Sequence, residues 1–175
     1  MAQENEALPP DFRRNFFAFL ADGASFRAAF TFVSPYSVLP AFVRQLTTSA
    51  PLIGLVGTIF NGGWLLPQLV TAHLVQDKPR KKPTMLAGLS GRVLFLVIAL
   101  ALWAGLSRHP PAMLALFFLC LGLFSVSDGV LIVAWFDILA RAIPLQRRGR
   151  MIGTAQVISG LAGAGVGDLG EAGPA

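Results

Sequence analysis

Five charged residues lie inside predominantly apolar stretches: Asp22, Arg27, Arg92, Asp128 and Asp137. A charge at the centre of a bilayer costs about 2.5 to 3.5 kcal/mol on insertion scales, so it faces a cavity or an opposite charge. At about 1.5 Å of rise per residue, Arg27 lies roughly 16 Å along a helix starting near Phe16, and Asp128 roughly 20 Å back from Arg141. These depths agree to within about one helical turn. An Arg27–Asp128 pair is therefore expected if the two helices adjoin. Two readings stay open for it: lining a central substrate cavity, or ordering the bundle as a structural ion pair. Thr31 and Ser34 share the face of Arg27, and Ser125 shares that of Asp128. Asp22 and Asp128 also have the chemistry of a proton relay, the use to which pumps put intramembrane carboxylates.

The remaining polar candidates have simpler chemistry. Asp137 and Arg141 stand four apart, which suits a local ion pair at the cytoplasmic end of one helix. Arg92 either snorkels or meets one of the carboxylates. Asn61 and Gln68 are seven apart with Trp64 between them, hence nearly on one face. Amides in lipid must find partners, either a substrate or a neighbouring helix.

The elements that would position these residues are apolar runs. They cover residues 15–39, 52–75, 84–106, 112–140 and 151–167, with a polar segment at 1–14 and an unstructured tail at 168–175. A bilayer-spanning helix needs about 20 apolar residues, so four runs suffice and the fifth is slightly short. The fold class expected is an all-α, multi-pass membrane bundle of four helices plus a partial fifth. Alternating the sides of the connections puts ten Lys and Arg on one side and only Arg44 and Arg108 on the other. That imbalance predicts a cytoplasmic N-terminus. Pairs of small residues four apart suit close helix packing: Thr58 and Gly62, Ala87 and Gly91, Ala101 and Gly105, Ser125 and Gly129, Gly163 and Gly167.

Composition agrees. Charged residues make up 13% of the chain, against about 25% in soluble domains. Too few charges exist to face water over a whole surface, so lipid must cover much of it. The basic residues lie between apolar runs rather than on a polar face, which argues against nucleic acid. Cys120 has no partner for a disulfide, and Cys120, His73 and His109 do not form a metal-binding set. Neither a phosphate-binding glycine loop nor a workable Ser or Cys with His is present, so no enzyme and no cofactor is expected.

The connection His73-Leu74-Val75-Gln76-Asp77-Lys78-Pro79-Arg80-Lys81-Lys82 resembles the signature loop of major facilitator superfamily transporters. Asp77, Lys78, Lys81 and Lys82 match it, while His73 and Arg80 stand where the family has glycines. Pro144, Arg147, Arg148, Gly149, Arg150 and Gly153 are similar to the cluster that commonly precedes the family's fifth helix. The phrase Gly63-Trp64-Leu65-Leu66-Pro67-Gln68 is similar to one in some bacterial members. The glycine-rich fifth run resembles the antiporter signature of that helix without its Gly-Pro step, so no exchange mechanism is implied.

The resemblance implies a bacterial inner-membrane permease for a small solute, with protons or another ion as coupling partner. It also implies a gating role for Asp77 and Lys78. Such a transporter alternates access between two six-helix halves around a midplane site. The chain would then be an incomplete N-terminal piece, requiring the remaining helices to close a cavity. The rival expectation is a small structural or assembly membrane protein without transport activity.

Overall fold

A computed structural model describes residues 11–76 and 82–171, and every regular element among them is helical. In chain order these are α1 (Phe12–Phe32), α2 (Val38–Leu46), α3 (Ala50–Gln76), α4 (Lys82–Ser90), α5 (Val93–Trp103), α6 (Pro110–Ala142) and α7 (Leu145–Glu171). A single 3₁₀ turn, Leu106–Arg108, precedes α6. Two helices are long and apolar enough to cross a membrane, through Ala50–Val70 and Pro110–Ala142; Gly88–Trp103 forms a shorter apolar helix.

Proline explains most of the helix starts. Pro51, Pro83, Pro110 and Pro111 occupy first turns, where a backbone N–H has no partner to lose, and Pro144 immediately precedes α7. Pro35 acts in the opposite sense. It disfavours helical geometry at Ser34, so the apolar run over 15–39 divides into α1 and the short α2. The 84–106 run is also subdivided. Gly91 and Arg92 form a turn, with Gly91 N–H donating to Gly88 O at 3.1 Å and Arg92 N–H to Leu89 O at 3.1 Å. These are three-residue spacings, a local tightening of the helix rather than a loop.

The last helix is longer than the apolar pattern. It begins at Leu145, so Arg147–Arg150, placed by the sequence in a connection, are helical. It runs to Glu171, past Asp168 where an unstructured tail is expected. The residues 168–171 include no proline, so polarity ends the apolar pattern there without interrupting the hydrogen-bond ladder.

Contacts divide the chain into two units, residues 1–33 with 138–175, and residues 34–137. In the first, α1 packs on α7. Phe12 meets Arg147, Gly23 meets Ala155 and Thr31 meets Gly163, so the two helices run parallel. In the second, α6 is the hub. Ile59, Gly63 and Trp64 meet Gly122, Ser125 and Gly129 in turn, so α3 is parallel to α6. Gly88 meets Leu131, Gly91 meets Ser127, and Phe95 lies 4.6 Å from Phe124 between ring centroids, so α4 and α5 run antiparallel to it. Phe42 of α2 meets Phe117 with ring centroids 5.3 Å apart and planes tilted by 52°.

The helices approach through glycine. A methyl group at Gly63 would stand 2.8 Å from Ser125 Cβ, at Gly88 2.5 Å from Leu131 Cβ, and at Gly91 2.5 Å from Ser127 Cβ. At Gly129 it would collide with the carbonyl oxygen of Trp64. Gly62, by contrast, has nothing within 4 Å, and Gly105 closes α5 at a left-handed φ of 82° rather than packing.

These contacts set up opposite outcomes for two neighbouring glycines. Gly129→Ala should destabilise the protein by about 1 to 3 kcal/mol, because a backbone carbonyl cannot rotate away. Gly62→Ala should be neutral or stabilising by up to about 1 kcal/mol through helix propensity. Unfolding in mixed detergent micelles measures both; equal effects would contradict the packing described.

Candidate functional site

Within the second unit, α3 presents Asn61 and Gln68 and α6 presents Ser125 and Asp128. Ser125 is fully buried, and Asp128, at 8% exposure, lies within the interior of α6. Ser125 faces Gly63, where α3 and α6 pack closely. Its hydroxyl donates to Leu121 O at 2.7 Å, one turn back on its own helix.

The amides behave similarly. Asn61 Nδ2 donates to Gly57 O at 2.8 Å, and Gln68 Nε2 donates to Trp64 O at 2.9 Å. Asn61 has a second partner that the sequence did not single out. The hydroxyl of Tyr36 donates to Asn61 Oδ1 at 3.1 Å and so ties the segment before α2 to the middle of α3. Tyr36 is the chain's only tyrosine and sits beside Pro35 in the turn between α1 and α2, the one signal that marked it. Ser34, in the same segment, accepts a hydrogen bond from the backbone N–H of Tyr36 at 3.3 Å.

Pro67 shapes the α3 side of this region. Lacking an N–H, it leaves Gly63 O without its helical donor. That carbonyl and its neighbour Trp64 O are the groups against which Gly129 is pressed. The meeting of α3 and α6 is therefore polar at the backbone and small at the side chain, with Gln68 covering one of the carbonyls.

Arg27 and Thr31 belong to the first unit, whereas Asp128 belongs to the second. Arg27 is exposed on α1, and Thr31 Oγ1 donates to Arg27 O at 3.3 Å while its methyl approaches Gly163. Asp137, half-buried, and Arg141, exposed, keep their four-residue spacing near the end of α6. Arg92 is half-buried at the tightened junction of α4 and α5. Of the gating-loop candidates, Asp77, Lys78 and Lys81 lie outside the described residues, and Lys82 opens α4.

A groove of about 420 Å³ lies along α2, lined by Ser37, Val38, Ala41, Phe42 and Gln45. None of the cavity candidates lines it. Among the described residues no cluster of three or more His, Cys, Asp or Glu is placed to hold a metal ion.

Two arginines are occupied locally. Arg148 Nε donates to Ile143 O at 2.8 Å and its Nη2 to Ala140 O at 2.7 Å, capping the last carbonyls of α6. Arg147 places its guanidinium 5.1 Å from the Phe12 ring centroid, a cation–π contact.

Compared with known proteins, the chain matches no family model, no curated protein and no solved structure.

The Tyr36–Asn61 bond admits a direct measurement. A double-mutant cycle of Tyr36→Phe and Asn61→Leu should give a coupling of about 0.5 to 1.5 kcal/mol, the usual net contribution of an intramolecular hydrogen bond. Additive effects of the two changes would remove the bond from the account.

Proposed function

We propose that the chain is a multi-pass membrane protein of the major facilitator type, contributing N-terminal helices to a secondary transporter of a small solute. Insertion in lipid is supported by what lies on the helix surfaces. Only 6% of the apolar window of α3 is buried, where the core helix of a soluble protein would be mostly enclosed. Leu69, Leu96, Leu100, Leu119 and Leu161 are likewise exposed. Apolar surface on this scale marks contact with something other than water. Trp103, 88% exposed at the end of α5, suits the interfacial belt that indole rings favour.

Helix directions support the proposed topology. α1 and α7 run parallel, so Arg13-Arg14 and Arg147–Arg150 share one end of their unit. In the other unit α3 and α6 run together and α5 runs back, the alternation expected of successive crossings. The proposed arrangement puts the N-terminus in the cytoplasm of a bacterial cell, with the membrane in question the inner one.

One observation carries the reading from insertion to transport: Asp128, buried in the interior of the 33-residue α6. A carboxylate there is costly, and such residues mark substrate or ion pathways. The signature-like loop from His73 to Lys82 adds the family resemblance. In this account Ser34, Asn61, Gln68, Ser125 and Asp128, all of the second unit, line the solute path, and Asp77, Lys78, Lys81 and Lys82 serve the cytoplasmic gate.

A specific observation favours the second reading, a structural or assembly protein. The donors of Thr31, Asn61, Gln68 and Ser125 are engaged with carbonyls of their own helices. Water access separates the two readings without knowledge of the substrate. In a Cys120→Ser background, cysteines at positions 61, 68 and 128 should react with a hydrophilic thiol reagent in proteoliposomes if they face a transport cavity. Protection of all three would favour the structural protein. Cysteines at 44 and 108 should label from one side and those at 81 and 147 from the other; any other pattern would overturn the topology.

A further inference from the structure

We infer that Arg13, Arg147 and Arg150, at the paired starts of α1 and α7, form a binding surface for anionic phospholipid headgroups. The inference rests on the membrane reading above and adds a ligand to it. Arg147 lies over Phe12, the residue before Arg13, so the basic starts of both helices stand together. All three arginines are exposed.

Among the described residues, the neighbouring charges do not neutralise them. Arg14 is paired with Asp11 at 3.0 Å, which uses that carboxylate. Arg148 is turned back onto the carbonyls of α6. Neither α1 nor α7 has an acidic residue in its first turn. Asp168 and Glu171 belong to the other end of α7, more than about 30 Å along the helix from Arg147.

Parallel helices also bring their N-termini together, and each such terminus carries a partial positive charge. Arginine there is set against the dipole, and an anion relieves both sources of positive potential. The planar guanidinium suits a phosphodiester, which it grips with two parallel N–H donors.

Apolar neighbours select a lipid over free phosphate. Phe17, four residues from Arg13 and therefore on the same face, is 65% exposed, and Leu145, opening α7, is 75% exposed. A ligand satisfying both needs an acyl chain beside its phosphate.

The test uses the full chain, purified in zwitterionic detergent and titrated with dioleoyl phosphatidylglycerol or dioleoyl phosphatidylcholine. Lipid retention is read by native mass spectrometry. Wild type should retain the anionic lipid preferentially, less so as salt rises. The Arg13→Gln, Arg147→Gln, Arg150→Gln triple variant should lower the preference on the order of ten-fold, whereas Arg44→Gln should leave it unchanged. The corresponding triple lysine variant should keep most of it, since the charge remains. Equal retention of the two lipids by wild type would overturn the inference. So would an unchanged preference in the triple glutamine variant, or displacement of the lipid by millimolar inorganic phosphate. Membrane insertion is scored separately, by flotation with vesicles of phosphatidylcholine alone after an alkaline wash. Failure there sinks the membrane reading, whereas insertion without anionic preference sinks only the headgroup site.

Discussion

The backbone of α6 rests on the backbone of α3, with no room for even a methyl group between Gly129 and the Trp64 carbonyl. Among apolar helices in lipid there is no hydrophobic gain from association, because the acyl chains are as apolar as leucine. Close packing has to supply the attraction, and packing improves as the axes approach. Gly63, Gly88, Gly91 and Gly129 permit that approach on both flanks of α6. The same contact covers the Gly63 carbonyl that Pro67 has deprived of its donor. A Cα–H of glycine beside such an oxygen contributes a weak hydrogen bond, about 0.5 to 1 kcal/mol. A proline that would break an isolated helix is thus tolerated in α3.

Much of this architecture was legible in the residue order, and its failures have a common cause. Run length located the long α3 and α6, because about 20 apolar residues admit few alternatives. Small-residue spacing found Ser125, Gly129, Gly91 and Gly163 but chose Gly62 and Ala87 where the packing glycines are Gly63 and Gly88. One residue turns the helix by about 100°, and in runs apolar on all sides nothing in composition fixes the phase. The break at Pro35–Ser37 was hidden for a similar reason: hydropathy is continuous across it, and only the proline signals that the chain turns. Tyr36 owes its contact with Asn61 to that turn.

The polar residues divide by what the helix can do for them. A serine, threonine, asparagine or glutamine can reach the carbonyl four residues back, and Thr31, Asn61, Gln68 and Ser125 all do so. Such bonds lower the cost of carrying a hydroxyl or amide through lipid before any neighbour or solute is present. They leave acceptor lone pairs on Ser125 and on the Gln68 carbonyl, so the groups can still receive a donor. Local satisfaction therefore makes these positions cheap to retain, and does not by itself distinguish a cavity wall from a packing seam. Arginine follows a different rule. Arg148 spends its donors on the exposed carbonyls at the end of α6, and Arg147 gains a ring face, so residues of one basic cluster have separate tasks.

An ionised carboxylate cannot donate to a carbonyl of its own helix, which makes position along α6 matter more for Asp128 and Asp137. The helix is 33 residues long, about 50 Å, so under the proposed membrane reading it would exceed a hydrocarbon core of about 30 Å and tilt or project. Arg141 would then limit how far its end could sink, since a guanidinium seeks the interface. Measured from that anchor, Asp137 lies about 6 Å in and Asp128 about 20 Å in. In that setting the first would stay within reach of headgroups and water, while the second would lie beyond the midplane, and it is the one the fold encloses. Tilt shortens both depths in proportion and leaves their order unchanged. Protein, rather than solvent, has to provide for Asp128, and this gives α6 its most specific demand on the surrounding structure.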